Sequence, residues 1–338
     1  MGKRYLTLKQ NQRIKKIQEK RTKHLQQKRK NSDKSSQLTI EKYSTDQKGL
    51  VVVHYGRRID VESVNETRQR YRCHLRTNLP SLVAGDYVIW HKDNNDTGVV
   101  VARCPRRNEL CRSDAQGQLR SVAANINYII IVVAPVPQFS HLLLDRYLVI
   151  AELANIEPII LLNKTDLLTE KNQHELESAL SIYQSMGYKI IKTSAYIKEG
   201  IDELKEMLSQ RISIFMGQSG VGKSSLTNML LPEAQLKTGE LSVKANKGKH
   251  TTTFSQLFHL PFGGSLIDSP GINELNLSHI KISQVLDGFR EFKSFAGQCK
   301  FSNCSHSHEP GCALLAALKE GEISEQRLLS YRAIVNSL

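Results

Sequence analysis

The chain has 338 residues with 47 Lys/Arg against 33 Asp/Glu, a formal net charge of +14, and 40% apolar residues. At roughly 100–200 residues per domain, this predicts two or three domains with real cores and excludes global disorder. The apolar run beginning at Ile129, IIIVVAPV, is far shorter than the ~18–20 residues that span a bilayer, and the basic N-terminus lacks the apolar h-region of a secretory signal. A cytosolic protein with no membrane contact, most simply a monomer, is therefore expected.

The charge is uneven. Residues 1–36 hold 13 Lys/Arg and 2 acids, residues 37–113 hold 13 and 9, and residues 114–338 hold 21 and 22. A basic excess of this kind points to a polyanionic partner. Residues 1–36 are polar and Gln-rich, which predicts a disordered basic tail suited to RNA phosphates.

From 37 to 113, short runs rich in Val, Ile and Tyr recur between turn residues: GLVVVHYG, RRIDVESV, QRYRCHLR, DYVIWHK and TGVVVAR. Several short strands at this spacing predict a small β-barrel of the OB-fold type, an RNA-binding module. Arg57, Arg58, Arg70, Arg72, Arg76, Arg103, Arg106 and Arg107 supply its charge, and Tyr55, Tyr71 and Tyr87 are candidates for base stacking.

From 114 to 283 the pattern is α/β. The apolar runs INYIIIVVA, PIILLN, KIIKTSA and ISIFM alternate with helical stretches LLLDRYLVIAELANI, KNQHELESALSIYQSMG, IDELKEMLSQ and KSSLTNMLL. This predicts a mostly parallel, doubly wound sheet with its ligand at the carboxyl ends of the strands. Residues 284–338 lose the strand pattern and carry a Cys/His cluster and a terminal helical stretch, ISEQRLLSYRAIV. The expected architecture is thus multidomain: basic tail, OB-fold barrel, P-loop α/β domain, and a mainly helical metal-binding domain.

Gly217-Gln218-Ser219-Gly220-Val221-Gly222-Lys223-Ser224, followed by Ser225, fits G-x-x-x-x-G-K-[ST] between a predicted strand and a helix. Glycines let the backbone wrap a phosphate, and the helix N-terminus favours the anion. Lys223 supplies charge to the β/γ-phosphates, and the Ser224 hydroxyl suits Mg²⁺. Asn163-Lys164-Thr165-Asp166 follows PIILL and identifies the base. A carboxylate at Asp166 accepts two hydrogen bonds from guanine, whereas adenine leaves it unpaired. The Lys164 stem can cover the ring, and the Thr193-Ser194-Ala195 turn offers a backbone N–H to the base.

Asp268-Ser269-Pro270-Gly271 follows SLI. Asp268 suits the Mg²⁺ water shell, and Gly271 can offer its N–H to the γ-phosphate and move when that phosphate leaves. Upstream lies Lys249-His250-Thr251-Thr252-Thr253, where Thr252, with Thr251 second, is the candidate for completing Mg²⁺ coordination. The guanine motifs precede the P-loop, the reverse of the usual order, which implies a circular permutation. Ile272 occupies the place of the usual water-positioning Gln. His250 is the candidate to take over that role, RNA or solvent contact being the alternative, and turnover by the chain alone should be slow.

Cys299-x4-Cys304-x-His306-x5-Cys312 offers three thiols and one imidazole within 14 residues, which suits one structural Zn²⁺. His308 is the nearby competitor for the imidazole position. Cys73, Cys104 and Cys111 have no ligand partners in sequence and read as ordinary, partly buried thiols.

These motifs, with the CPRRNELCRS and VAANINYIIIVVA stretches, resemble the circularly permuted, ribosome-small-subunit-dependent GTPase family (RsgA, also called YjeQ) over nearly the whole chain. The resemblance implies a late-acting maturation factor of the bacterial small ribosomal subunit, whose GTPase that subunit stimulates and whose OB and zinc modules contact ribosomal RNA. It also implies that His250 is the catalytic histidine, alongside Lys223.

Overall fold

A computed structural model describes residues 46–55, 58–65, 69–76, 79–93, 96–114, 116–232, 255–268 and 277–338. The basic tail, His250, Thr251, Thr252 and Gly271 lie outside the described residues. The described chain folds as two compact units.

The first unit is a five-stranded barrel. Its strands are β1 (Gln47–His54), β2 (Arg58–Ser63), β3 (Arg70–Leu75), β4 (Tyr87–Lys92) and β5 (Thr97–Arg103). They pair in the order β1-β2-β3-β5-β4, and β4 returns to β1 to close the ring. Only β3 and β5 run parallel. Register shifts at Val51/Val53 and Ile89/Trp90 bend the strands around the closure. Alternate residues turn inward, so Val51, Ile59, Val61, Tyr71, Cys73, Val88, Trp90 and Val100 share one core.

This packing decides which expected RNA contacts are available. Tyr71 is fully buried against Trp90, with ring centroids 4.7 Å apart, so it cannot stack on a base. Arg106 is likewise withdrawn: its guanidinium, 8% exposed, bonds the buried Asp86 through Nε (2.7 Å) and Nη2 (2.8 Å), and also Ser121 and the Ser81 carbonyl. A buried carboxylate needs such a partner, which outweighs solvation of the arginine. Tyr55 and Arg72 remain on the surface. β6 (Glu109–Ser113) and β7 (Leu119–Ala124) form a separate two-stranded ribbon.

The second unit holds a parallel sheet in the order β10-β9-β8-β11-β13: Lys189–Lys192, Glu157–Leu162, Tyr128–Val133, Ile212–Met216 and Ser265–Asp268. Its helices are α1 (His141–Leu153), α2 (Glu170–Ser185), α3 (Ile201–Leu208) and α4 (Lys223–Leu230). β8 is apolar at every position because both faces are covered. Ile130 and Val132 pack with Leu204 and Leu208 of α3 and Leu226 and Leu230 of α4. By strand alternation, Ile129 and Ile131 serve the other face, where α1 packs. Ser140 caps α1, accepting from Leu143 N–H, and Thr169 caps α2 in a reciprocal box with Asn172.

β12 (Gln256–His259) precedes β13 in the chain. After a short turn, α5 (Ile282–Val285), and two 3₁₀ segments (Leu286–Gly288 and Arg290–Phe295) come α6 (Ala313–Lys319) and α7 (Glu325–Asn336). α7 packs on α1. That explains why α1 is apolar nearly all round: one side meets the sheet, the other meets α7. Among the described residues, no helix is long and apolar enough to cross a membrane.

Candidate nucleotide site and metal cluster

β11 delivers the Gly-rich loop at its carboxyl end. Gly217 adopts φ +145°, and a Cβ there would stand 2.3 Å from the Val132 carbonyl oxygen, so only glycine lets the loop leave β11 beside β8. Gly222, at φ +97°, opens α4, and a Cβ there would lie 2.3 Å from Asn163 Nδ2. Gln218, Ser219 and Gly220 are exposed, Val221 is buried, and Ser224 and Ser225 face outward on the first turn. Lys223 Nζ donates to the carbonyls of Gly217 (2.8 Å) and Gln218 (2.7 Å), which holds the ammonium over the loop. Burial lowers its pKa.

The adjoining strands bring the second motif to the same place. Asn163 N–H donates to Val133 O at 2.8 Å, extending the β8–β9 ladder past its end. Asn163 is 1% exposed, and both ends of its amide are bonded. Nδ2 donates to Val221 O at 2.9 Å, while Oδ1 accepts from Ala195 N–H (3.3 Å) and Thr193 Oγ1 (3.4 Å). One amide thus joins the P-loop, the β9 turn and the β10 turn. Lys164 sits at φ +62°, which carries its stem across the loop, and its Nζ donates to Val136 O (2.9 Å) and Gly220 O (2.6 Å). Asp166 lies in the 3₁₀ turn Thr165–Leu167 and accepts from the Ser194 hydroxyl. The same Ser194 oxygen accepts from the N–H groups of Tyr196 and Ile197, each at 3.2 Å. Ser194 therefore orients the carboxylate and shapes its own loop, a second role that its place in the tripeptide does not reveal.

Asp268 ends β13, next to β11. Its side chain is exposed, yet the mass of protein around the carboxyl raises its pKa by desolvation. A cation would reverse that tendency.

The cysteine cluster is assembled by a tight loop. The ligand atoms of Cys299, Cys304, His306 and Cys312 all lie within 4.8 Å of one another. His306 Nδ1 stands 3.5 Å from Cys299 Sγ and 3.4 Å from Cys312 Sγ. His306 takes φ +58°, which turns the ring inward, whereas His308 is exposed and outside the group. Glu309 knits the loop, accepting from the Ser305 hydroxyl and from the N–H groups of Ser305 (2.7 Å), Ser307 (2.9 Å) and His308 (3.1 Å), and these bonds, the hydroxyl's foremost, hold its carboxyl well below the usual range. Arg332 of α7 donates to His306 O through Nε (3.1 Å) and Nη2 (2.7 Å). Nothing in the motif spacing points to Arg332, one of two arginines in α7. The donor set of three thiols and one imidazole, closed on itself, fits a tetrahedral Zn²⁺.

Comparison with known proteins agrees with this geometry. A family model described as RsgA GTPase matches residues 103–278. A "Small ribosomal subunit biogenesis GTPase RsgA" of Pseudomonas fluorescens (strain Pf0-1) is 48% identical over 340 residues, covering 100% of this chain and 98% of the relative. One of Azotobacter vinelandii is 49% identical with the same coverage. Among solved structures, YjeQ from Thermotoga maritima has a TM-score of 0.73 at 34% identity, covering 87% of this chain and 99% of that one. YloQ, described as a circularly permuted GTPase, has a TM-score of 0.70 at 25% identity, covering 89% and 97%. A P-loop placed after the Asn163–Asp166 motif, yet stapled to it through Asn163, fits the order of a circularly permuted GTPase, and the chain belongs to the RsgA GTPase family.

Proposed function

We propose that this chain hydrolyses GTP to GDP and phosphate in response to the small ribosomal subunit, acting in the cytoplasm as a late maturation factor of that subunit. The carrying observation is the Asn163 Nδ2 to Val221 O bond at 2.9 Å, which joins motifs 58 residues apart into one pocket rim. The names of relatives that match the whole chain support the ribosomal partner.

In this reading residues 217–225 cradle the phosphates through backbone N–H groups. Lys223, already held above the loop, takes the β/γ charge. Asp166 accepts from guanine, Asn163 fixes the rim, Lys164 covers one ring face, and Ser194 and Ala195 complete the base turn. Ser224 and Asp268, with Thr252 or Thr251, would hold a Mg²⁺ ion, which when bound neutralises charge on the β- and γ-oxygens. Gly271 contacts the γ-phosphate, and His250 orients the attacking water. Cys299, Cys304, His306 and Cys312 hold one structural zinc, which stiffens the loop anchored by Arg332. The tail (1–36), the barrel module (37–113) and the zinc domain (284–338) dock on ribosomal RNA, and residues 114–283 carry the GTPase.

The test is GTP turnover by the purified full chain alone, with small subunits and with large subunits. Small subunits should raise the rate at least tenfold, and Lys223→Ala should abolish the gain. An unchanged rate with small subunits overturns the ribosomal coupling; a wild-type rate in Lys223→Ala overturns the assigned phosphate site.

A further inference from the structure

The P-loop does not stand alone at the end of β11. It rests on residues 134–140, which join β8 to α1. A Cβ at Gly220 would lie 3.6 Å from Pro137 Cδ, and the Lys164 ammonium ties the two segments by donating to both Val136 O and Gly220 O. Phe139 lines one small cavity together with Gln218 and Val221 of the P-loop. Whatever fixes residues 134–140 therefore fixes the bed on which the Gly-rich loop lies.

What fixes them comes from far along the chain. The Phe139 ring meets His141 edge-on, with centroids 4.9 Å apart. His141 stacks on Tyr183 of α2 at 5.9 Å, and its Nδ1 shares a 3.0 Å hydrogen bond with the Tyr183 hydroxyl. The Arg327 guanidinium of α7 stands 5.5 Å from the Tyr183 centroid and 4.4 Å from that of Phe289. Phe289 meets Tyr331 edge-on at 5.7 Å, and Tyr331 meets the His306 ring at 5.9 Å. A continuous line of rings and one cation thus runs from the bed of the P-loop to the Cys/His cluster. Its middle members, Tyr183, Arg327, Phe289 and Tyr331, are all buried.

A buried cation is weak evidence for stability, because packed apolar side chains commonly serve as well. Its better use is registry. Arg327 pairs with Asp145 and Glu291 and touches two rings, so one arrangement of α7 against α1 and α2 satisfies it. Close-packed interiors have little room to deform, so a shift at one end of such a line is passed to the next member.

We propose that His141 and Tyr183 are positioning residues of the nucleotide site. They pass the hold of the C-terminal helix to residues 134–140, so the metal state of the Cys/His cluster sets how tightly the P-loop grips a nucleotide. This rests on the readings of the P-loop as the phosphate site and of the cluster as a zinc site.

The test uses the full-length chain with Mg²⁺ in excess. N-methylanthraniloyl-GDP is titrated before and after zinc is withdrawn by the chelator TPEN. Wild type should bind the probe at least about fivefold more weakly without zinc, the lower end of ordinary coupling between sites. His141→Ala breaks the line at a half-buried member, and its Kd should change less than about twofold on zinc withdrawal. Tyr183→Phe keeps the ring and loses the hydroxyl bond, and should cut the zinc effect at least about twofold. Tyr188→Phe removes an unbonded hydroxyl from a neighbouring buried ring off the line, and should keep the full wild-type effect. A merely structural role for His141 would move the melting temperature or the Kd and leave the zinc effect unchanged. Hydrogen exchange gives a second readout: zinc withdrawal should speed exchange in 134–140 and 217–222 of wild type, and in His141→Ala only around 299–312.

A wild-type Kd that ignores zinc overturns the proposal. So does a zinc effect undiminished in both His141→Ala and Tyr183→Phe, or one lost equally in Tyr188→Phe. Unchanged exchange in 134–140 while GDP affinity falls would assign the coupling to another route and overturn this one. Wild type that holds no zinc, or binds no GDP, overturns the site readings and the coupling with them, and the first titration shows this before any variant is made.

Discussion

Arg327 on α7 and Asp145 on α1, 182 residues apart in sequence, form an ion pair in which both side chains are fully buried. The guanidinium also takes Glu291 through Nε (2.6 Å) and Nη2 (3.1 Å) and lies over the Phe289 ring at 4.4 Å. The C-terminal helix is thus bolted to the sheet-covering helix by one cation shared between two carboxylates. Five residues further along α7, Arg332 grips the carbonyl of His306, so the same helix supports the Cys/His loop.

Removing that cation should be costly. Arg327→Ala leaves Asp145 and Glu291 without their countercharge, a loss of about 3–5 kcal/mol by analogy with broken buried pairs. Asp145→Ala added to Arg327→Ala should recover part of it, because one stranded charge is gone. Urea unfolding of the two single variants and the double decides this. Additive losses would show that the pair is not coupled.

Base choice should follow Asp166. An amide at this position cannot accept both guanine donors, but it can donate to the 2-oxo group of xanthine. Asp166→Asn should weaken GTP binding about a hundredfold or more and favour XTP. Competition of GTP and XTP for the variant measures the inversion, and retention of GTP preference contradicts the assigned role.

The metal cluster should carry about one zinc per chain, bound by four protein ligands with no open position. Cys312→Ser removes a buried ligand, and the purified variant should hold well under half the wild-type zinc content. Hydrogen exchange across 299–312 should rise at the same time, since metal binding and loop order are coupled. Wild-type zinc content in that variant excludes Cys312 as a ligand.

The barrel should lose stability in alkali. Burial pushes the Cys73 thiol up from 9.0 to about 12. The unfolded chain therefore releases this proton first as pH rises through 9, and the native state retains it until pH reaches about 12. Stability should fall over that window by at most about 1.4 kcal/mol per pH unit from this group. Cys73→Ala should flatten the dependence, and native Cys73 should resist alkylation at pH 8 that succeeds after unfolding. An equal alkaline slope in the variant would assign the loss to other groups.

Much of the architecture is legible in the sequence because period and spacing are local properties. The strands GLVVVHYG to TGVVVAR and the helix LLLDRYLVIAEL appear where Val/Ile alternation and continuous apolar runs place them. The P-loop is equally plain, since G-x-x-x-x-G-K-S before a helix has few other physical uses. The Cys/His spacing marks a candidate metal loop, but the choice between His306 and His308 needed the backbone: φ +58° at one residue turns a single imidazole inward.

The side-chain partners were decided by the tertiary fold. Arginine near a strand reads as RNA contact in sequence, yet Arg106 turns inward because Asp86 is wholly buried and needs a cation. Tyr71 reads as a stacking residue, yet the inward phase of β3 places it against Trp90. Asp145 and Arg327 lie in two helical stretches far apart in sequence, and only the packing of α7 on α1 encloses them together. The sequence by itself determined the element order, the permuted motif order and the chemical classes of the sites, because these depend on neighbours along the chain. The closure of the barrel, the Asn163 staple across three turns and the burial of particular charges came only with the tertiary structure, because each depends on desolvation by residues distant in sequence.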